Sequence, residues 1–208
     1  SMLSSQLHAT TEILPLAGLD RLAEHLPTAW IEEALAATGT ASIRRRRLPA
    51  EQVVWLVIAL ALYRHQSMPE VLAALDLALP SATELPVSKS AVTQARQRLG
   101  AAALEWLFHQ TAHAWCRQDA ERHDWQGLSL WAMDGTTFRT PDSADNRAHF
   151  GAQAYASGKV ASYPQVRAVS VTAIHTHLVS DIAFGEYGQN EMLYAKTLIG
   201  RIADHSLT

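Results

Sequence analysis

The sequence predicts an α+β protein in two parts: an all-helical N-terminal domain over residues 1–126 and a strand-rich C-terminal domain over residues 127–208. Three observations predict it. Apolar residues recur at helical spacing through roughly the first 125 residues. At Gln126-Gly127 the period changes, and three segments rich in Val, Ile, Thr and aromatic residues follow. After the third, helical spacing returns from Glu191 to about Ala203.

Each element has its own signals. Beyond Pro27, Trp30, Ile31 and Leu35 fall on one helical face, and Gly39 suits the left-handed position that follows a helix. Pro49 fits the start of the next helix, Ala50 to Arg64, which is apolar on nearly every face and so predicts a central, buried position. Ser67-Met-Pro-Glu70 has the form of a capping box, and the helix it opens should stop before Pro80. Pro80 to Val87 reads as a loop. Ser88 is a plausible N-cap and Gly100 a plausible stop for a helix whose apolar face is Ala91, Val92, Ala95 and Leu99. A longer helix, Ala101 to Arg122, turns Leu104, Leu107, Phe108 and Trp115 inward.

The strands are LSLWAMDGTTF, YPQVRAVSVTAIHT and LVSDIAFGEY, the second and third close enough around His177 to form a tight antiparallel hairpin. Asn190 or Gln189 caps the last helix. Between the first two strands, Arg139 to Ser162 is longer than an ordinary hairpin loop, a length usual for functional segments. Arg139, Arg147, Lys159 and Arg167 surround it.

Composition excludes several classes. With 48% apolar residues in 208, the chain can bury a substantial core and is not a disordered one. The single Cys116 cannot make an internal disulfide or a thiolate zinc cluster, which fits a small buried hydrophobe and a cytoplasmic location. The longest uncharged apolar run, Val53 to Tyr63, is 11 residues, about half of the ~20 that a membrane-spanning helix needs. No membrane and no small-molecule partner is expected. Net charge is −3, yet Gly39 to Gly100 holds eight basic residues against four acidic ones, a local +4. A basic segment sits inside an acidic protein.

That segment makes nucleic acid a candidate partner. Arg44, Arg45, Arg46 and Arg47 can neutralise phosphates, and the 89–99 helix offers Lys89, Gln94, Arg96, Gln97 and Arg98, side chains of the kinds that read base edges. The competing account is a solvated charged face, and the loop before Ser88 exceeds that of a tight helix-turn-helix.

The second candidate is Asp134. A strand that ends in Asp-Gly can present a carboxylate at a sheet edge to a hard divalent ion, and phosphoryl transfer by two metals gathers such carboxylates from several elements. Equally, Asp134 can cap its own turn through backbone N–H groups. His109 and His113 share a helix face as in a zinc protease, but Gln110 stands where the general base belongs. His175 and His177 read as exposed turn residues.

DGTTFRTPDSADNRAHFG (134–151), YPQVRAVSVTAI, DIAFGEYGQNE and SKSAVTQARQRLG together resemble the transposases of the "insertion sequence four" family, over nearly the whole chain. The resemblance implies an RNase H-like catalytic domain with a DDE carboxylate triad, Asp134 matching the first aspartate. It also implies DNA transposition, with transposon-end DNA bound by the helical domain and magnesium or manganese used by the full-length enzyme. The family's second aspartate lies beyond a further strand and its glutamate later still, so this chain, ending at Thr208, is expected to hold one third of the triad in an incomplete sheet of three antiparallel strands and a helix, and to be inactive by itself. Asp181 does not match the second position. Glu191 opens the helix that, in the wider superfamily, can bring a carboxylate beside the first aspartate; it is a second candidate metal ligand, and the plainer reading is that it complements the helix dipole. Two functional classes follow: the N-terminal part of a DDE transposase, or a non-catalytic fragment that binds DNA or other subunits, as a remnant or regulator. In either case the open sheet edge is expected to drive self-association or to be covered by the helical domain.

Overall fold

The computed structural model describes residues 18–41, 48–78, 88–122, 125–155 and 158–208. It divides into two compact units, with the boundary between Phe108 and His109.

The first unit is helical. Among the described residues it comprises α1 (Gly18–His25), α2 (Thr28–Ala37), α3 (Ala50–Leu62), α4 (Met68–Ala78), α5 (Lys89–Leu99) and the first turns of α6 (Ala102–Arg122). α3 is central because its sequence, AEQVVWLVIALAL, leaves it no polar face. Val53 and Val54 pack with Ile31, Leu35, Ala95 and Leu99, whereas Leu56, Ala59 and Tyr63 pack with Val71, Leu75 and Val92. Burial of each large aliphatic side chain contributes about 1.5–3 kcal/mol, so α3 holds α2, α4 and α5 to one core.

The caps follow from the sequence. The Ser67 N–H donates to Glu70 Oε2 at 2.7 Å, one half of the capping box, and hydrogen bonding from the Ser67 side chain, with this backbone bond beside it, holds the Glu70 carboxyl below its ordinary range. The Ala91 N–H donates to Ser88 Oγ at 3.2 Å, and α5 ends at Gly100 with φ +66. Gly39, at φ +67, follows α2.

The second unit contains the rest of α6, β1 (Ser129–Arg139), α7 (Ala144–Phe150), β2 (Gln165–Ala173), β3 (Val179–Glu186), α8 (Glu191–Ile199) and β4 (Ser206–Leu207). The sheet order is β3-β2-β1-β4. β1, β2 and β3 form an antiparallel meander, and β4 runs parallel to β1, pairing Ser206 with Ser129 and Leu207 with Leu130. Ala195 and Leu198 of α8 bury Val169 and Val171 on one face of the sheet, flanked by Trp131 and Met133. Cys116 is buried, as its composition predicts.

Four expectations are corrected. The strand LSLWAMDGTTF forms almost as expected, but Asp134 does not stand at a strand end: β1 continues to Arg139, pairing Gly135 with Val169 and Phe138 with Val166. Thr136, Thr137 and Phe138 are strong strand formers with good cross-strand neighbours, which outweighs one glycine. The long connection carries a helix, α7, with Ser143 Oγ accepting from Asn146 N–H at 3.2 Å, and an isolated bridge between Ala154 and Val160. The sheet has a fourth, parallel strand beside the three antiparallel ones. α8 ends at Ile199, short of Ala203. Arg147 fastens the connection by pairing with Asp142, whose carboxyl it holds below the usual range, and by donating to Ser162 O at 2.8 Å.

Candidate functional site

Asp134 stands in the middle of β1, exposed, directly across from Ser170 on β2. Side chains alternate along a strand. Met133 packs toward α8, and a side chain on Gly135 would point the same way, so Asp134 projects from the opposite face. Backbone groups alternate too. Leu130 O accepts from Ile174 N–H at 3.2 Å and Thr140 N–H donates to Pro164 O at 3.0 Å, both toward β2, while Ser129 N–H donates to His205 O at 2.9 Å on the other side. By the antiparallel pattern, Met133, Gly135 and Thr137 therefore direct their N–H and C=O groups to the edge away from β2. Among the described residues β4 covers that edge only as far as Leu130. Gly135 N–H donates to Asp134 Oδ1 at 2.9 Å, so the carboxylate leans toward this open edge.

Glu191 approaches Gly135 from the other face. It is the first residue of α8, whose N-terminus is capped by Asn190 Oδ1, which accepts from Met192 N–H at 2.9 Å. A Cβ on Gly135 would lie 1.9 Å from Glu191 Oε1, so only glycine leaves the carboxylate its place. Arg167 NH1 lies 3.8 Å from Glu191 Oε2, and its guanidinium carbon is 4.9 Å from the centre of the Tyr187 ring. A second notch holds the helix further along, where a Cβ on Gly185 would meet the Tyr194 hydroxyl at 2.6 Å. Tyr194 donates to Glu186 O at 3.1 Å, and burial raises its pKa above the ordinary phenol value.

Asp134 and Glu191 thus approach Gly135 from opposite faces of β1, where among the described residues only β2 pairs with the strand. An oxygen-only pair suits a hard cation such as magnesium, which keeps several waters and takes one or two carboxylates from the protein. Among the described residues no group of three or more His, Cys, Asp or Glu side chains gathers to hold a metal. Of the nearby cations, Arg139 lies over Tyr163 at 4.3 Å and Arg147 is engaged in the connection.

Asp181 has a structural role. It is 9% exposed and pairs with Arg201 at 3.2 Å, closing one side of a cleft of about 550 Å³ between α6, the sheet and the C-terminal end of α8. His109, His113 and Cys116 line the opposite wall. Spacing along α6 marks those three as one face, but nothing in the sequence brings Asp181 and Arg201 to it. His175 and His177 are exposed in the turn between β2 and β3, His177 at φ +59.

The other candidate surface is α5. Val92, Ala95 and Leu99 are buried, and Lys89, Gln94, Arg96, Gln97 and Arg98 are all exposed. Arg44, Arg45, Arg46 and Arg47 lie outside the described residues.

Comparison with known proteins gives concordant matches. Residues 16–109 match the family model for the insertion element 4 transposase N-terminal region. The chain is 36% identical over 200 residues to the Escherichia coli protein InsZ, which bears a transposase name, covering 94% of this chain and 64% of InsZ. It is 40% identical over 190 residues to "Transposase InsG for insertion sequence element IS4", also from Escherichia coli, covering 91% of this chain and 42% of InsG. The chain spans less than two thirds of the length of either relative. No solved structure gives a significant match.

Proposed function

The chain belongs to the insertion element 4 transposase family, and from that premise we propose that its helical unit binds transposon-end DNA while its sheet unit contributes Asp134 to metal-dependent DNA strand cleavage and transfer by a longer protein. The observation that carries the DNA reading is α5. Its sequence, KSAVTQARQRL, has three cations and no carboxylate, and all three cations are exposed on a helix anchored by three buried residues. A surface of that kind neutralises phosphates and releases their counterions. Binding of terminal-repeat duplex, measured against salt for wild type and for Arg96→Ala/Arg98→Ala, tests it. Two lost phosphate contacts lower the log–log salt slope by about 1.8; a flat wild-type response rejects phosphate contact as the driving force.

The topology supports an RNase H-like assignment for the sheet unit: an antiparallel meander, then a helix, then a strand parallel to the first. In this reading Asp134, with Glu191 as a second carboxylate, would hold a magnesium or manganese ion together with ligands from elsewhere, and such an ion would supply Lewis-acid chemistry for phosphoryl transfer. Gly135 leaves room for the Glu191 carboxylate, and Arg167 holds Glu191 by charge. Manganese titration of this chain is expected to show one weak site, weakened at least tenfold in Asp134→Ala and to a lesser extent in Glu191→Ala. Equal affinities in wild type and Glu191→Ala remove Glu191 from the site.

The bare edge of β1 favours a second reading, in which the chain acts by joining other subunits. Backbone N–H and C=O groups at Met133, Gly135 and Thr137 point to that edge, the Gly135 N–H turned to Asp134 Oδ1, and with no further strand beside them among the described residues they form a template for another strand.

A further inference from the structure

The cations of α5 are not distributed at random around its axis. Counting about 100° per residue, the buried Val92, Ala95 and Leu99 define one pole of the helix. Ser90, Thr93, Gln94 and Gln97 all fall within about 55° of the opposite pole. Lys89 and Arg96 lie about 90–115° to one side of that ridge, and Arg98 lies about 90° to the other. The helix therefore presents a neutral polar ridge between two cationic flanks.

Most hydroxyls on the ridge are already engaged. Thr93 Oγ1 donates to Lys89 O at 3.0 Å, and Ser90 Oγ lies 3.0 Å from Ser88 Oγ, which caps the helix. Among the described residues the Gln94 and Gln97 side chains make no hydrogen bond, and both residues are exposed, so two primary amides stand free at the crest, about one helical turn apart. We infer that α5 lies in the major groove of the duplex with Gln94 and Gln97 reading two adjacent A·T pairs, while Lys89 and Arg96 hold one phosphate strand and Arg98 holds the other. This rests on the DNA-binding reading above and adds the direction of approach and the bases read.

The dimensions agree. The major groove, about 12 Å wide, admits a helix, and a glutamine amide donates and accepts at once, matching the N6 and N7 atoms of adenine. Residues three apart rise about 4.5 Å along a helix, close to the ~3.4 Å step between bases on a strand. The absence of any carboxylate on α5 makes the whole surface complementary to a groove walled by phosphates.

The test is selection of the 208-residue chain on a pool of randomised duplexes, followed by affinity measurements on the selected site across salt concentrations. Wild type is expected to select a motif containing two adjacent A·T pairs. Gln94→Ala and Gln97→Ala are each expected to lose discrimination at one of those pairs by about 5- to 150-fold with an unchanged salt slope. Arg96→Ala and Arg98→Ala should keep the motif and each lower the slope by about 0.9. Both glutamines are exposed and alanine favours helix, so the fold is retained. Salt-dependent binding with no A·T preference, or a motif that survives both glutamine variants, overturns the readout while leaving DNA binding intact. No binding to any duplex overturns both.

Discussion

At the scale of single residues, two glycines decide how closely α8 approaches the sheet. Gly135 makes room for the end of the Glu191 side chain, and Gly185 makes room for the tip of the Tyr194 ring. The two contacts differ in what can yield. A glutamate that is half exposed can swing its carboxylate away, giving up only a weak ion pair with Arg167. A tyrosine ring wedged between helix and strand moves as a rigid body and gives up its hydrogen bond to Glu186 O. Gly185→Ala is therefore expected to destabilise the chain by about 1–3 kcal/mol, and Gly135→Ala by less than about 1 kcal/mol. Urea unfolding of the two variants checks the order, and Gly185→Ala/Tyr194→Phe should recover part of the loss. If Gly135→Ala proves the more damaging, Glu191 is held far more tightly than its exposure indicates. The motif DGTT made Asp134 visible from sequence. The position of Glu191 over Gly135 was not legible, because it depends on a crossing between helix and strand.

At the scale of elements, local chemistry and tertiary packing divide the work. The caps of α4, α5, α7 and α8 are made by Ser67, Ser88, Ser143 and Asn190 with neighbours two or three residues away. Such contacts are written in the sequence. Ser88→Ala should cost about 1 kcal/mol, read by urea or thermal unfolding, and in the proposed DNA-binding role of α5 should weaken affinity only through fraying of its first turn. A loss of affinity larger than that of Arg96→Ala would mean that the N-terminus of α5 itself touches phosphate. β1 shows the opposite case. Its continuation past Asp134 to Arg139 needs β2 alongside, supplying Ala168, Arg167 and Val166 as partners, and those residues lie some thirty positions away. A glycine followed by two threonines reads locally as a turn; a neighbouring strand converts it.

At the scale of the whole molecule, each unit closes its own core, but the sheet is left with an unequal pair of edges. Among the described residues, pairing on the β1 side stops at Leu130 although the strand runs on to Arg139. Open edges of that length recruit other strands. Sedimentation over a range of concentrations is expected to show reversible self-association. Thr137→Pro should weaken it, since that N–H points away from β2 and its loss spares the β1–β2 ladder. A wild-type chain that remains monomeric at every concentration contradicts the edge as a joining surface.

The sequence by itself determined the order of helices and then strands, the N-caps at Ser67 and Ser88, the buried course of α3, the polar face of α5 and the prominence of Asp134. Periodicity, capping and turn chemistry act over a few residues, and their signals survive without knowledge of neighbours. Only the tertiary structure decided that Asp134 sits mid-strand and leans to an open edge, that Glu191 reaches Gly135 from the opposite face, that a fourth strand starts parallel to β1, and that Asp181 is committed to Arg201. Each of these depends on groups far apart in the chain being brought within a few ångströms, and strand pairing and close helix approach are set by long-range packing that no local window contains.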